Sequence, residues 1–353
     1  MTTNPLISEI LEQPEALRRV YQAYVAQQNE PLWAAAALLR AAPIIYMTGM
    51  VTSEYASYAA ASLLNQAGCP TVVQDASEFL YYHYHADSFP RNACFVVVSQ
   101  SGESAEIVHL LQKLNGRSPV IGVFNNEDSY LANHCDVALP IYAGPQHACG
   151  SKTNLSTIAV LLLLAEAALV GKSVAAAGAQ LLKVVESLDR LNDGWQATIE
   201  PIADFLEGAP YTAFLGRGFS LASALFSAVL FKEVPKLVAE GMSAAAFRHG
   251  MLEMIRPEHR VVLFAPAGIT HNLALGLAET VLDLDIPLLL VTNRDVDLAP
   301  RDHLRLLRTP AHDEVWAPLV DMVPLQMAGY ELARRRGLEP GVLQIASYVT
   351  TIE

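Results

Sequence analysis

The chain has 353 residues, 52% of them hydrophobic and 17% charged, with a formal net charge of −13 at pH 7. That length exceeds what one core organises and calls for two domains of comparable size. An acidic balance with no concentration of Lys and Arg excludes a nucleic-acid partner gripped by its phosphates.

Residues 1–40 read as a helical lead-in whose start, MTTNPLISEILEQPEALRR, has no basic opening, apolar core or small-residue cleavage site of an export signal. A cytoplasmic location is the expectation. PIIYMTG (43–49) reads as a strand running into a turn, followed by helical apolar spacing from Ser53 to Ala67. TVVQ (71–74), CFVVVS (94–99), PVIGVF (119–124) and VALPI (137–141) then alternate with helical segments, the pattern of a parallel sheet flanked by helices. Cys69, Cys94, Cys135 and Cys149 are widely spaced, with no CxxC pair, which fits a reducing compartment.

From 151 to about 205 the pattern is almost wholly helical, with no proline before Pro201. Its most apolar part, Leu155 to Val170, is too short to span a membrane, carries Glu166, and reads as a buried or interface helix. No membrane partner is expected. Strands follow at YTAFLG (211–216), RVVLFA (260–265) and IPLLLVT (286–292), then a long helix from about Val315 and a tail to Glu353. The boundaries expected are a first domain over 41–172, a connector over 173–205, a second domain over 206–340 and a tail over 341–353. So much apolar surface also favours a subunit interface.

The two halves repeat one another. YMTGMVTSEYAS (46–57) and AFLGRGFSLASA (213–224) both run strand, glycine turn, serine, helix. One strand later they diverge: CFVVVSQSGES (94–104) is rich in hydroxyls, and its counterpart VVLFAPAGIT (261–270) has lost nearly all of them. Only the first half is equipped for an anion. In SQSGES, Ser99, Gln100, Ser101 and Ser104 gather at a helix N-terminus whose partial positive charge favours a phosphate or sulfonate, with Glu106 in the first turn. Gly102 lets the backbone approach a ligand. A well-capped helix would use the same serines for stability alone, so the local run leaves both readings open.

SQSGES resembles the phosphate loop of SIS (sugar isomerase) domains, and in particular the isomerase half of glucosamine-6-phosphate synthase. SEILEQPEAL (8–17), ASEF (76–79), FLGRG (214–218), KEVPKLVAEGMSAAAFRHG (232–250) and EVWAPLVDMVPLQMAGYELARRRG (314–337) are similar to further stretches of that family, in the same order. The resemblance implies two tandem SIS domains, each an α/β, flavodoxin-like, three-layer αβα sandwich on a parallel sheet. It implies that Thr52, Ser53, Ser99, Gln100, Ser101 and Ser104 bind a phosphorylated or otherwise anionic sugar. It gives Glu233 as the carboxylate that carries a proton between C1 and C2, and His249 as the ring-opening group, reaching in from the neighbouring subunit of a homodimer with shared active sites. Histidine suits ring opening because it gives and takes a proton near neutrality.

Several positions depart from the family. Val51 stands in place of a glycine, Leu230 and Tyr348 in place of active-site lysines, and Gln146, expected to bind the substrate, in place of a glutamate contacting the sugar. Tyr348 excludes an imine through that residue. Lys152 is shifted by one position and is given no role. Residues 2 and 3 are Thr and no nucleophile-bearing domain precedes the first lobe, so no glutaminase activity is expected. FRHG (247–250) is similar to the deglycase form of the motif, although Ala246 replaces a glutamate there.

No cofactor is called for. His83 and His85 in YYHYH (81–85) lack a carboxylate or cysteine at ligand spacing, so aromatic packing explains that run better than a metal. Ser77 reads equally well as a helix cap or as bordering the sugar, and RRR (334–336) as a helix end where cations complement the dipole. The expectation is a sugar-phosphate or amino-sugar phosphate isomerase or deaminase acting through an open-chain sugar. The alternatives are a non-catalytic sugar-phosphate-binding regulator, a fructosamine-phosphate deglycase, or an isomerase of a sulfonated sugar.

Overall fold

The computed structural model describes residues 4–27, 29–85, 89–90 and 92–352. It opens with three helices, α1 (Pro5–Leu11), α2 (Gln13–Tyr21) and α3 (Glu30–Ala41). Asn4 caps α1 and Asn29 caps α3 through their side-chain oxygens, and each helix has proline in its first positions, where no N–H is needed.

A first sheet follows, with β1 (Ile45–Gly49), α4 (Thr52–Gln66), β2 (Thr71–Asp75), α5 (Ala76–Glu78), β3 (Cys94–Val98), α6 (Ala105–Leu114), β4 (Val120–Phe124), α7 (Tyr130–His134) and β5 (Val137–Pro140). Its strands are parallel in the order β2-β1-β3-β4-β5. All five residues of β3 are buried, as expected of a strand covered on both faces. Phe95 and Val97 join Phe79, Ile107, Leu110 and Leu131 under α6 and α7. Successive side chains alternate, so Val96 and Val98 point to the opposite face, where α4 packs on β1 and on α8 (Lys152–Ala168). Every residue of α8 is buried, and α3 and α4 both lie against it, so this helix is covered by its own chain.

After α9 (Val174–Asn192) and α10 (Trp195–Leu206), the same plan recurs. The second set comprises β6 (Thr212–Gly216), α11 (Leu221–Glu233), β7 (Ala239–Ser243), α12 (Ala244–Phe247), β8 (Arg260–Phe264), α13 (His271–Asp283), β9 (Leu288–Thr292), β10 (Leu304–Arg308), α14 (Pro318–Asp321) and α15 (Val323–Arg335). Strand order β10-β9-β8-β6-β7 repeats the first sheet's order, again all parallel. The expected α/β class with two parallel-sheet lobes is what the chain adopts. Gly49 and Gly216 occupy the same place in the two halves. A Cβ on Gly49 would lie 2.7 Å from the Val98 carbonyl oxygen, and one on Gly216 would lie 2.2 Å from that of Ser220.

The chain divides into two compact units: one of Glu15–Gln146, Lys152–Leu182 and Ile345–Glu353, the other of Met1–Pro14, His147–Ser151 and Lys183–Gln344. The first carries β1–β5 and the second β6–β10. Two details differ from expectation. The long helix expected from Val315 is interrupted at Met322, because Pro324 has no N–H to return to the Val320 carbonyl. Strands β7 and β10 fall in stretches where none was expected. No helix among the described residues is long and apolar enough to cross a membrane.

Candidate functional site

In an open sheet of order 2-1-3-4-5 the connections leave β1 and β3 in opposite directions, which opens a crevice at their carboxyl ends. The turn after β1 and the loop after β3 border that crevice. In the first, Val51 has φ 48° and the Ser53 N–H donates to the Met50 carbonyl at 3.1 Å, a tight turn in a conformation that normally requires glycine. Holding a β-branched residue there costs about 1–3 kcal/mol. Val51 thus takes a backbone shape that suits glycine and adds a side chain that is 44% exposed. Thr52 opens α4, with Ser53 buried behind it.

The loop after β3 is built on its own hydroxyls. Ser99 Oγ accepts the Gly102 N–H at 3.1 Å and Ser101 Oγ accepts the Glu103 N–H at 3.3 Å. Each serine, having accepted, can still donate its own proton, which suits an anion. Ser104 is the N-cap of α6, and its side chain makes no capping bond. The hydroxyl is therefore not consumed by the helix. Gly102 has φ +69°, and a Cβ there would lie 2.1 Å from Ser129 Oγ. Glu103 turns away, its Oε1 accepting the Tyr130 N–H at 2.7 Å.

Not every N–H at the start of α6 is open to a ligand, because Ala105 donates to the Thr350 carbonyl at 3.0 Å. The tail, excluded from imine chemistry by Tyr348, instead lies against the start of α6 through its backbone.

Sequence reasoning also missed the residues that hold Gln100. Thr153 Oγ1 donates to Gln100 Oε1 at 2.9 Å, and the Gln100 N–H donors, on a buried Nε2, have no partner among the described residues. Thr48 Oγ1 at the end of β1 and Asn154 Oδ1 are likewise buried without partners, while Asn154 Nδ2 reaches the Thr52 carbonyl at 3.4 Å. Unpaired buried polar groups are costly, and these three lie at or beside the carboxyl ends of β1 and β3. The KTN run before an apolar helix was the available signal. Lys152, first in α8, is only 2% exposed. Gln146 is half-buried in the segment joining β5 to α8.

Glu233 and His249 belong to the β6–β10 unit. Glu233 is the last residue of α11, and its burial raises the carboxyl pKa above the ordinary range, with Lys236 opposing in part. His249 sits exposed in the turn after α12, with no ring hydrogen bond among the described residues. Leu230 packs into the core; a Cβ on Gly329 would lie 2.7 Å from it. The Cys149 thiol, pushed up to about 12 by burial and then by Glu233 and Glu9, lies near Glu233.

In the second lobe the counterpart of the 99–104 loop is filled by a carboxylate. Glu314 Oε2 accepts the Ile269 N–H at 3.0 Å and stands where a Cβ on Gly268 would go. The lost hydroxyls are thus matched by an occupied cradle.

The remaining features are structural. Asp75 caps α5 by accepting the Ser77 and Glu78 N–H groups, so the capping side chain belongs to Asp75 and not to Ser77. Phe79 stacks on His83 within an aromatic cluster that includes Tyr46, Tyr84, Phe89 and Phe95. At the end of α15, Arg334 and Arg335 pair with Glu331, and Arg335 also with Asp204 and Glu207.

Fold and loop together define a duplicated α/β protein with a serine-rich loop at the reversal point of its first sheet. The chain belongs to the SIS domain family, which it matches over residues 38–170 and 206–334. It is 30% identical over 343 residues to the glutamine–fructose-6-phosphate aminotransferase (isomerizing) of Pyrococcus horikoshii, covering 95% of this chain and 55% of that protein. The chain spans about half the length of the curated relatives it matches. Among solved structures it is similar to the C-terminal domain of glucosamine-fructose-6-phosphate aminotransferase from Francisella tularensis, with TM-score 0.79, 24% identity and coverage of 95% and 96% of the two chains. It also shares its fold with glucosamine-6-phosphate deaminase from Thermotoga maritima, with TM-score 0.77, 18% identity and coverage of 98% and 99%.

Proposed function

We propose that the protein binds a phosphorylated sugar or amino sugar at the 99–104 loop and transfers a proton between C1 and C2 of its open-chain form. The observation that carries the binding half is the buried Gln100 amide, unpartnered on nitrogen among the described residues, beside serines that have accepted backbone N–H groups and keep their own protons to donate. His249 opens the ring by protonating the ring oxygen as it accepts the anomeric hydroxyl proton. Glu233 then takes the C–H proton from one carbon and returns it to its neighbour, while the hydroxyl protons redistribute through an enediol, or an enolamine for an amino sugar. Burial favours this reading, since a carboxyl with a raised pKa is a better base once ionised.

The test is Glu233→Gln, which retains shape and removes the base. The reading predicts retained affinity for the sugar phosphate with turnover reduced by about 100-fold or more. Retained turnover would overturn the role of Glu233. Binding without turnover in the unaltered protein, across hexose, hexosamine and fructosamine phosphates, would favour a sugar-phosphate-binding regulator.

A further inference from the structure

Lys236 lies three residues beyond Glu233, outside α11, with a left-handed backbone at φ 55°. A lysine does not adopt that conformation freely. Here it turns the side chain back onto the helix it follows: Nζ donates to the carbonyl oxygen of Glu233 at 2.5 Å and to that of Val342 at 3.1 Å. The Val234 N–H to Leu230 carbonyl bond and the Leu237 N–H to Phe231 carbonyl bond hold the intervening chain against the helix end. One ammonium thus bridges the end of the element that carries Glu233 and the chain two residues before Gln344, where this unit ends.

We propose that Lys236 is a positioning residue for Glu233: its ammonium clamps the Glu233 and Val342 carbonyls together and places a fixed positive charge beside the Glu233 carboxylate. The inference rests on reading Glu233 as the proton carrier. The charge matters because Glu233 is half-buried, and desolvation alone would leave its carboxyl protonated over a wider pH range. The titratable groups near it are Lys236, beyond its own helix, and the Cys149 thiol on the 147–151 segment, which in turn feels Glu9 on α1. That thiol is held neutral, so Lys236 supplies the compensating charge.

A merely structural clamp and a charge-setting clamp differ in what titrates. The full-length protein carrying carbonyl-13C-labelled glutamate is titrated by NMR, and the Glu233 resonance is assigned by its loss in Glu233→Gln. Lys236→Gln keeps hydrogen-bond donors for the two carbonyls and removes the charge; Lys236→Arg keeps both. The expected result is a Glu233 midpoint raised by about half to one pH unit in Lys236→Gln and restored in Lys236→Arg. The acid limb of turnover should move with it, lowering kcat several-fold below the midpoint while KM changes little. An unchanged midpoint in Lys236→Gln would overturn the proposal, even if turnover fell equally at every pH. The readout needs no substrate: an enzyme without proton exchange would remove the role of Glu233 while the carboxyl titration still decides that of Lys236.

Discussion

Replacing Gly102 by alanine perturbs the loop after β3 where it packs closely on Ser129. The new Cβ would sit 2.1 Å from Ser129 Oγ and 2.5 Å from Ser129 Cβ, on a residue held at φ +69°. Forcing alanine into the left-handed region costs about 1–2 kcal/mol, less about 0.4–1 kcal/mol recovered from a stiffer unfolded chain. Ser129 is 0% exposed and cannot swing into solvent, so relief of the overlap costs a further ~1–3 kcal/mol. Moving it also loosens its cap on α7, the bond from the Ala132 N–H at 3.3 Å, worth about 1 kcal/mol. The sum is about 2–5 kcal/mol, which for a unit of this size lowers Tm by about 5–15 °C. Thermal unfolding of the full chain, followed by circular dichroism and calorimetry, reads it directly. Pairing the change with Ser129→Gly should return the steric part but not the backbone part, a positive coupling of about 1 kcal/mol or more. A Tm within about 2 °C of the parent for Gly102→Ala alone would refute this geometry of the loop.

Other consequences are sharper in chemistry than in size. Ser99→Ala removes both the acceptor of the Gly102 N–H and a donor to the anion, so calorimetric titration should show sugar-phosphate affinity down about 10- to 100-fold. Unchanged affinity would remove the loop from the binding site. Asp321 is 1% exposed, takes one hydrogen bond from Thr309, and is pushed up to about 7 by burial. Because the folded chain keeps this proton after the unfolded chain has lost it, stability contributed here falls from about pH 4 to about pH 7 and is flat above, by up to about 4 kcal/mol. Asp321→Asn should abolish that fall in a comparison of Tm at pH 5 and pH 8; an identical slope in the variant would contradict it.

The parts of this molecule legible in its sequence were those in which one short run states its own role. Strands β3, β4, β8 and β9 are continuous apolar runs because both faces are covered, and they were read correctly. Strands β7 (AEGMS) and β10 (LRLLR) are the edges of the second sheet, carrying exposed Glu240, Arg305 and Arg308, and a half-wet edge has no apolar run to announce it. Likewise SQSGES gathers three serines and a glycine turn within six residues, and the structure keeps them together in one loop. The groups that complete its surroundings, Thr153 on Gln100 and Thr350 on Ala105, come from a later helix and from the tail, and only the fold brings them there. Lys236 was hidden for a different reason: its part depends on a backbone turn that residue type alone does not predict.

Proton exchange at carbon, followed by NMR in deuterated water with purified protein and a panel of hexose, hexosamine, fructosamine and sulfonated sugars, bears most directly on the central claim. The account predicts deuterium entering C1 or C2 of one phosphorylated sugar class, abolished by Glu233→Gln and weakened by Ser99→Ala. Binding of those sugars with no deuterium entering at either carbon would contradict it.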